Sequence, residues 1–407
     1  MKAKFLAIFG LPLGISAGQA ADLSTSPESF QYAEPANYVE VCDAFGQGFY
    51  YIPGTSTCLR LGGRVRVEAQ ALNFGSKPNN WDQRERNGMR FRARSDLMLE
   101  TYTDSEFGLI KAYAELQATV DSTEAWAAGN ATNSDPDLRR GERTDMHLEA
   151  AYIQMNGFTF GRTASFFDFF TGATYGSVDR NWSDENTWVA GYTAALGNGL
   201  SLSLSAEDMS ERTNGVYVWN GVNGAGGSRA PAGVIAMRLD QAWGAIQLSG
   251  AVQDVRPLSQ GRQSKAGWAI GAGTIINLPM LGDGDAIALQ VQYADAALRY
   301  LNVDDVFDVY YLDDHSGKTQ GIAVSGGYTH YFTPEVRVDF DTSYVDVDTP
   351  EGAPQNDYSR WAFDWDVAWA PVNGLEFGVD FGIARTDVKH EDDYTEASAL
   401  LRVQRTF

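Results

Sequence analysis

Five arginines occupy alternate positions in two short stretches. Arg64 and Arg66 lie in LRLGGRVRVEAQA, and Arg90, Arg92 and Arg94 lie in MRFRARSDLMLET. In an extended chain successive side chains point to opposite faces, so each set shares one face. The other face carries Leu61, Val65 and Val67 in the first stretch and Met89, Phe91 and Leu97 in the second. A guanidinium is permanently charged and presents a planar fork of donors. A row of them beside water makes and breaks no bonds; it sets up a field. Pairing the two stretches antiparallel across residues 73–87 brings Arg66 near Arg94, and Arg64 near Arg94 and Asp96. Like charges opposite one another destabilise a sheet, so water and acids must offset them. Glu68, Asp96 and Glu100, in the same two stretches, are competing partners within the wall.

Other chemistry is not visible. The histidines, His147, His315, His330 and His390, are dispersed and form no metal-binding HExxH pattern. No local Ser–His–acid motif appears, so no catalytic residues, metal ligands or cofactors are expected. Gly271-Ala272-Gly273 lies within an alternating stretch and is not a phosphate loop. The acidic run Asp304, Asp305, Asp308, Asp313 and Asp314 lacks EF-hand spacing and reads as a solvated loop.

The elements that position the arginines repeat along the chain. Sixteen alternating segments fall at 59–72, 88–102, 106–118, 146–155, 158–162, 188–196, 200–208, 233–240, 243–254, 267–277, 286–296, 320–331, 336–346, 360–370, 375–385 and 395–407. Most have the roughly 9–11 residues that cross a bilayer obliquely. Short connections (103–105, 156–157, 197–199, 241–242, 278–285, 332–335, 371–374) alternate with long ones (73–87, 119–145, 163–187, 209–232, 255–266, 297–319, 347–359, 386–394). The apolar face carries Trp361, Trp365, Trp369, Phe377 and Phe381. A soluble sandwich would bury that face; a propeller would repeat a blade motif about every 40 residues, and none is seen. The pattern predicts an all-β fold, a closed antiparallel sixteen-stranded transmembrane barrel with short periplasmic turns and long extracellular loops. Closure gives every backbone amide a partner, as lipid demands. The terminal Phe407 then sits at the periplasmic rim, between lipid and water.

Residues 1–20 read as a cleaved signal peptide: Lys2 and Lys4, a short apolar core from Phe5 to Ile15, then Gly18-Gln19-Ala20. Its removal takes two lysines and no acid, moving the net charge from −22 to −24. So acidic a chain is no general nucleic-acid binder. Residues 21–58 form a pre-barrel periplasmic segment, and 59–407 the barrel. In an exported chain Cys42 and Cys58 are expected to pair.

The stretch VCDAFGQGFYYIPGTSTCLRLGGRVRVEAQ, with GRTASFFDFF and the terminal LRVQRTF, resembles the alphaproteobacterial general porins over the whole mature chain. The resemblance implies a water-filled passive diffusion channel for ions and small hydrophilic solutes, a homotrimer in the bacterial outer membrane beside lipid and lipopolysaccharide, and no enzyme. It also implies that the third long loop, 163–187, folds inward and narrows the lumen. The arginine wall would then face Asp168, Asp179, Asp184 and Glu185 across a constriction, giving a transverse field. Phe166, Phe167, Phe169 and Phe170 would pack the loop against the wall. The remaining inward acids (Glu115, Asp339, Asp341, Asp364, Asp366, Glu376 and Asp380), with the net charge, point to a weak cation preference. The alternatives are a substrate-specific channel, or a barrel enzyme or adhesin.

Overall fold

In the computed structural model the described residues are 40–78, 80–82, 87–122 and 142–407. Sixteen long strands form one closed antiparallel sheet. They are β1 Thr57–Ala71, β2 Met89–Ser105, β3 Gly108–Ser122, β4 Glu142–Met155, β5 Phe158–Ala164, β6 Asn186–Gly197, β7 Leu200–Glu207 and β8 Ala232–Gln241. They continue as β9 Gly244–Val255, β10 Lys265–Asn277, β11 Ala286–Asp295, β12 Gln320–Thr333, β13 Val336–Asp348, β14 Tyr358–Val372, β15 Leu375–Val388 and β16 Tyr394–Thr406. Each pairs with the next, and β16 returns to β1 in register from Arg64↔Thr406 to Ala71↔Ala399. The expected barrel is the one observed.

Its burial is inside out. Leu61, Val65, Val67, Phe91 and Leu97 are exposed on the outer wall, while Glu68, Gln70, Asp96 and Glu100 on the same strands are buried inside. Alternation suits this arrangement because lipid solvates the apolar face. The turn between β4 and β5 has Asn156 at φ 49° and Gly157 at φ 85°, the left-handed pair that a tight hairpin favours. The strands outrun their expected ends in places: β2 reaches Ser105 and β3 reaches Ser122. Alternation fades there before hydrogen bonding does.

Two long loops hold structure not foreseen. Val216–Val218, Val309–Tyr311 and Ser316–Lys318 make a separate three-stranded sheet, and Leu298–Leu301 a 3-10 turn. Val216, Val309 and Tyr310 are buried there. Such three-residue strands are too short to cross a bilayer, so a search for spans passes over them. Most of the 119–145 loop, the signal peptide and residues 21–39 lie outside the described residues.

Cys42 and Cys58 form the expected disulfide, with Cα atoms 6.0 Å apart. It ties the segment before the barrel to β1, where Tyr50–Tyr51 pairs with Leu59 and Cys58. Phe45 stacks on Tyr102 of β2 with ring centroids 4.6 Å apart. At the other end of the chain Phe407 and Gly63 exchange two backbone hydrogen bonds of 3.0 Å. The terminal ring lies over Gly63, where a Cβ would come within 2.8 Å of it. The glycine pair inside the first strand thus makes room for the chain's own end.

Candidate functional site

Residues 165–185, between β5 and β6, turn into the barrel and run along its inner wall. Their hydrogen bonds fall in chain order on strands from β7 to β15, passing over β8, β10 and β12. Glu207 of β7 accepts from Ser165 Oγ (2.6 Å) and Phe166 N (3.0 Å). Gln247 of β9 donates to the Asp168 carbonyl (3.0 Å), and Gln290 of β11 to the Phe170 carbonyl (2.9 Å). Asp341 of β13 accepts from the amides of Ala173 (2.9 Å) and Thr174 (2.8 Å). Asp366 of β14 accepts from Tyr175 N (2.9 Å), and Asp380 of β15 from the amides of Gly176 and Ser177 (3.2 Å each). The returning arm is held by Asp364 on Val178 N (3.1 Å), Ser343 on Asn181 N (3.0 Å) and Gln292 on Ser183 N (3.2 Å). At the tip, Gln70 of β1 donates to the Ser177 carbonyl (3.2 Å), and the Arg402 guanidinium lies 4.0 Å from the Tyr175 ring centre.

The loop's aromatic rings are seated, as expected, against the wall. Phe167 is fully buried. A Cβ on Gly191 would meet the Phe166 ring at 2.6 Å, one on Gly273 the Phe169 ring at 2.4 Å, and one on Gly327 the Phe170 ring at 2.4 Å. The glycines inside these strands are the notches that receive the rings. Gly273, in the stretch that is not a phosphate loop, has this use.

The acids of β13–β15 differ from the expectation. Asp339, Asp341, Asp364, Asp366 and Asp380 are all buried, at no more than 1% exposure. Four of them are acceptors for loop amides rather than groups open to lumen water, because the loop covers their face. Arg180 of the loop lies 3.5 Å from Asp364, and Arg337 pairs with Asp339 (2.7 Å) and Glu376 (2.6 Å). The cation preference read from these acids loses most of its basis.

The arginine face lies beside the loop's tip, on β1 and β2. Arg66 and Arg94 are direct cross-strand partners, as are Arg64 and Asp96. Arg64 Nε is 2.5 Å from Asp96 Oδ2. Arg92 makes a two-pronged pair with Asp121 at 2.7 and 2.8 Å. Glu68 is shared by Arg402 (2.6 Å), Arg66 (3.8 Å) and Arg92 (4.0 Å). Arg94 donates to the neutral Thr119 hydroxyl at 3.0 Å, and Arg90 donates to Gln70. Glu100 serves Arg60 and Lys111 instead. Wall pairing therefore takes up part of the cationic charge: Arg64, Arg66, Arg92, Arg94 and Arg402 have Glu68, Asp96 and Asp121 as near carboxylates among the described residues.

Of the four loop acids expected opposite, Asp168 is placed otherwise. Its carboxylate is buried, 3.0 Å from the buried Arg212, bonded to Ser183 Oγ, and accepts Glu185 N at 2.8 Å. It pins the base of the loop. Asp179 and Asp184 are exposed, and Glu185 is half-buried, 3.9 Å from Arg299. Although the Asp184 side chain is exposed, the surrounding protein withholds part of its solvation, and this, then the charges of Asp168 and Glu185, pushes its carboxyl up to about 6. Arg212 was missed by sequence reading. It comes from the 209–232 loop, donates to Ser183 Oγ at 2.8 Å and stacks over Tyr300 at 4.5 Å. No spacing could have flagged a partner so distant from Asp168.

Known proteins resemble this chain in sequence or in fold. Porin Omp2a of Brucella ovis is 33% identical over 238 residues, covering 54% of this chain and 65% of that protein. The chain thus spans just under two thirds of the length of that relative. The outer membrane channel DcaP of Acinetobacter baumannii superposes with a TM-score of 0.68 at 19% identity, over 88% of this chain and 99% of that one. OmpT of Vibrio cholerae, in a trimer form, gives 0.52 at 9% identity over 86% and 100%. These last two likenesses are of fold. Over residues 30–403 the chain matches the model of the Porin subfamily, and it belongs to that family.

Proposed function

We propose that this outer-membrane barrel is a passive diffusion channel for ions and small hydrophilic solutes, working as a homotrimer. The observation that carries the reading is the course of residues 165–185. Their hydrogen bonds follow the wall from β7 round to β1, and the tip ends beside the arginine face of β1 and β2. Water would pass between that face and the loop. In this reading Arg64, Arg66, Arg90, Arg92 and Arg94 form one side of the constriction. Asp179, Asp184 and Glu185 form the other, with Asp168 behind them as an anchor. Fixed charges of opposite sign across a narrow aqueous gap orient dipolar solutes and disfavour apolar ones.

The test is single-channel recording of the mature protein in a planar bilayer under a salt gradient. The expected result is stable open steps in groups of three, with no saturation by any one solute. A folded, heat-modifiable barrel that gives no steps would overturn the reading.

A further inference from the structure

A polar cavity of about 310 Å³ lies on the long-loop side of the inward loop. Its wall includes a row of cross-strand partners on the inner face: Arg360 of β14, Thr386 of β15 and Tyr394 of β16. All three sit nearer the long loops than Asp364, Asp366 and Asp380, which hold the inward loop. The floor is the returning arm of that loop, where the Asp179 carbonyl and Asn181 Oδ1 accept from Arg360 at 2.7 and 3.2 Å. Arg299 and residues 302–305, from another long loop, close the far side.

The charges of this cavity largely offset one another. Glu396 lies 2.6 Å from Lys77 and 3.2 Å from Arg360, and Arg299 lies 3.3 Å from Asp304. What remains is hydrogen-bonding capacity. Thr386 is 2% exposed, and its hydroxyl has no partner among the described residues. Asp305 accepts from Tyr358 Oη at 2.7 Å, and a carboxylate has room for several such bonds. An anion entering here would meet the carboxylates of Asp179, Asp305 and Glu396, and a cation would meet Lys77, Arg299 and Arg360. A neutral polyol meets neither repulsion. Each of its hydroxyls can donate to a carboxylate and accept from a guanidinium or hydroxyl, and its C–H face can pack on the Tyr394 ring. The volume is at the small end of ligand sites, about 300–1,000 Å³, and suits a mono- or disaccharide.

We propose that this cavity is a sugar-binding site at the mouth of the channel, where Thr386 and Asp305 bond hydroxyls of a neutral mono- or disaccharide and Tyr394 packs against its ring. The inference deepens the channel reading and rests on it for the site's place in a solute path. The cavity lies against β14–β16, whereas the water path runs along β1 and β2. A held sugar therefore raises the local solute concentration without closing the pore. Conduction requires such binding to be weak enough for release.

Thr386→Val gives the sharpest test, because it keeps the shape of the side chain and removes a hydroxyl that has no partner among the described residues. Folded protein in a detergent without a sugar head is titrated with sucrose, and binding is read by saturation-transfer NMR on the sugar protons. Sucrose is expected to bind the wild type. Thr386→Val should weaken that binding about fivefold, and Asp305→Asn, which removes a charged acceptor, about tenfold. The thermal midpoint of Thr386→Val should not fall, since no hydrogen bond of the free protein is lost. Equal sucrose signals from all three proteins, or none from the wild type, would overturn the proposal. So would displacement of sucrose by 1,4-diaminobutane at equal concentration, which would make the cavity a site for cationic solutes. Single-channel steps from the same samples report on the channel reading separately: sucrose bound by a barrel that gives no steps would overturn that reading and leave the site standing.

Discussion

Asp184 and Asp168 stand on one loop and do different work. Asp168 is neutralised by the buried Arg212, whereas Asp184 is exposed with its carboxyl raised to about 6. A raised carboxyl loses its charge as pH falls through that value, well above the ordinary carboxylate range. Reversal potentials are therefore expected to shift toward anions between about pH 7.5 and about pH 5. Asp184→Asn should show that shift already at neutral pH and flatten the step. An unchanged pH profile in the variant would remove Asp184 from the ion path. Arg94 offers the opposite change. It faces Arg66 across the strands and is held by a neutral hydroxyl, so Arg94→Gln should move the reversal potential toward cations. Because it also relieves a like-charge pair, its effect on unfolding should stay within about 1 kcal/mol. Arg66 and Arg94 could be read together from sequence because a period of two and one hairpin fix their register. Asp168 could not, because its partner Arg212 reaches it from another loop.

At the scale of the element, the inward loop 165–185 is held mainly by its backbone. Asp341 accepts from Ala173 N, Thr174 N and Thr174 Oγ1. Asp341→Ala would leave those groups without an acceptor, at about 1–3 kcal/mol each. The barrel should still form, but the loop should leave the wall intermittently. Open-channel current noise and brief partial closures are expected to rise, with the mean conductance changing less. Gly378→Val should give a similar record by another route, since a Cβ there would meet the Tyr175 ring at 2.1 Å. Quiet traces from both variants would show that the loop is fixed by something else. The alternation of Asp339, Asp341, Asp364 and Asp366 correctly marks the inner face of β13 and β14. It says nothing of what covers that face. A carboxylate turned toward water and one turned toward a loop amide look alike in sequence, so alternation alone does not tell an anchor from a lumen charge. The inward glycines were the available hint, because a strand keeps such gaps where another part of the chain approaches.

For the whole molecule, the decisive contact is the closure of the last strand on the first. The count of sixteen strands was legible because each span is local and repeats one pattern. The closing register was not, because β1 and β16 lie at opposite ends of the described chain. Two devices converge on β1: the Cys42–Cys58 bridge at its start and the Phe407–Gly63 backbone pair six residues into the strand. Gly63→Val would drive a side chain into the terminal ring and toward the Asp96 carbonyl, 2.8 Å from the Cβ position. The temperature at which the folded band converts to the unfolded band on gels should fall. Replacing both cysteines with serine should also lower it, since a loop of this size contributes roughly 3 kcal/mol by restricting the unfolded chain. The two changes act on different states. Valine at 63 strains the folded seam, while loss of the bridge loosens the unfolded ensemble. Their effects should therefore add when combined, although both sites lie on one strand. A combined loss smaller than the sum would mean that the bridge works by holding the seam in the folded barrel, and that the pre-barrel segment is part of the closure.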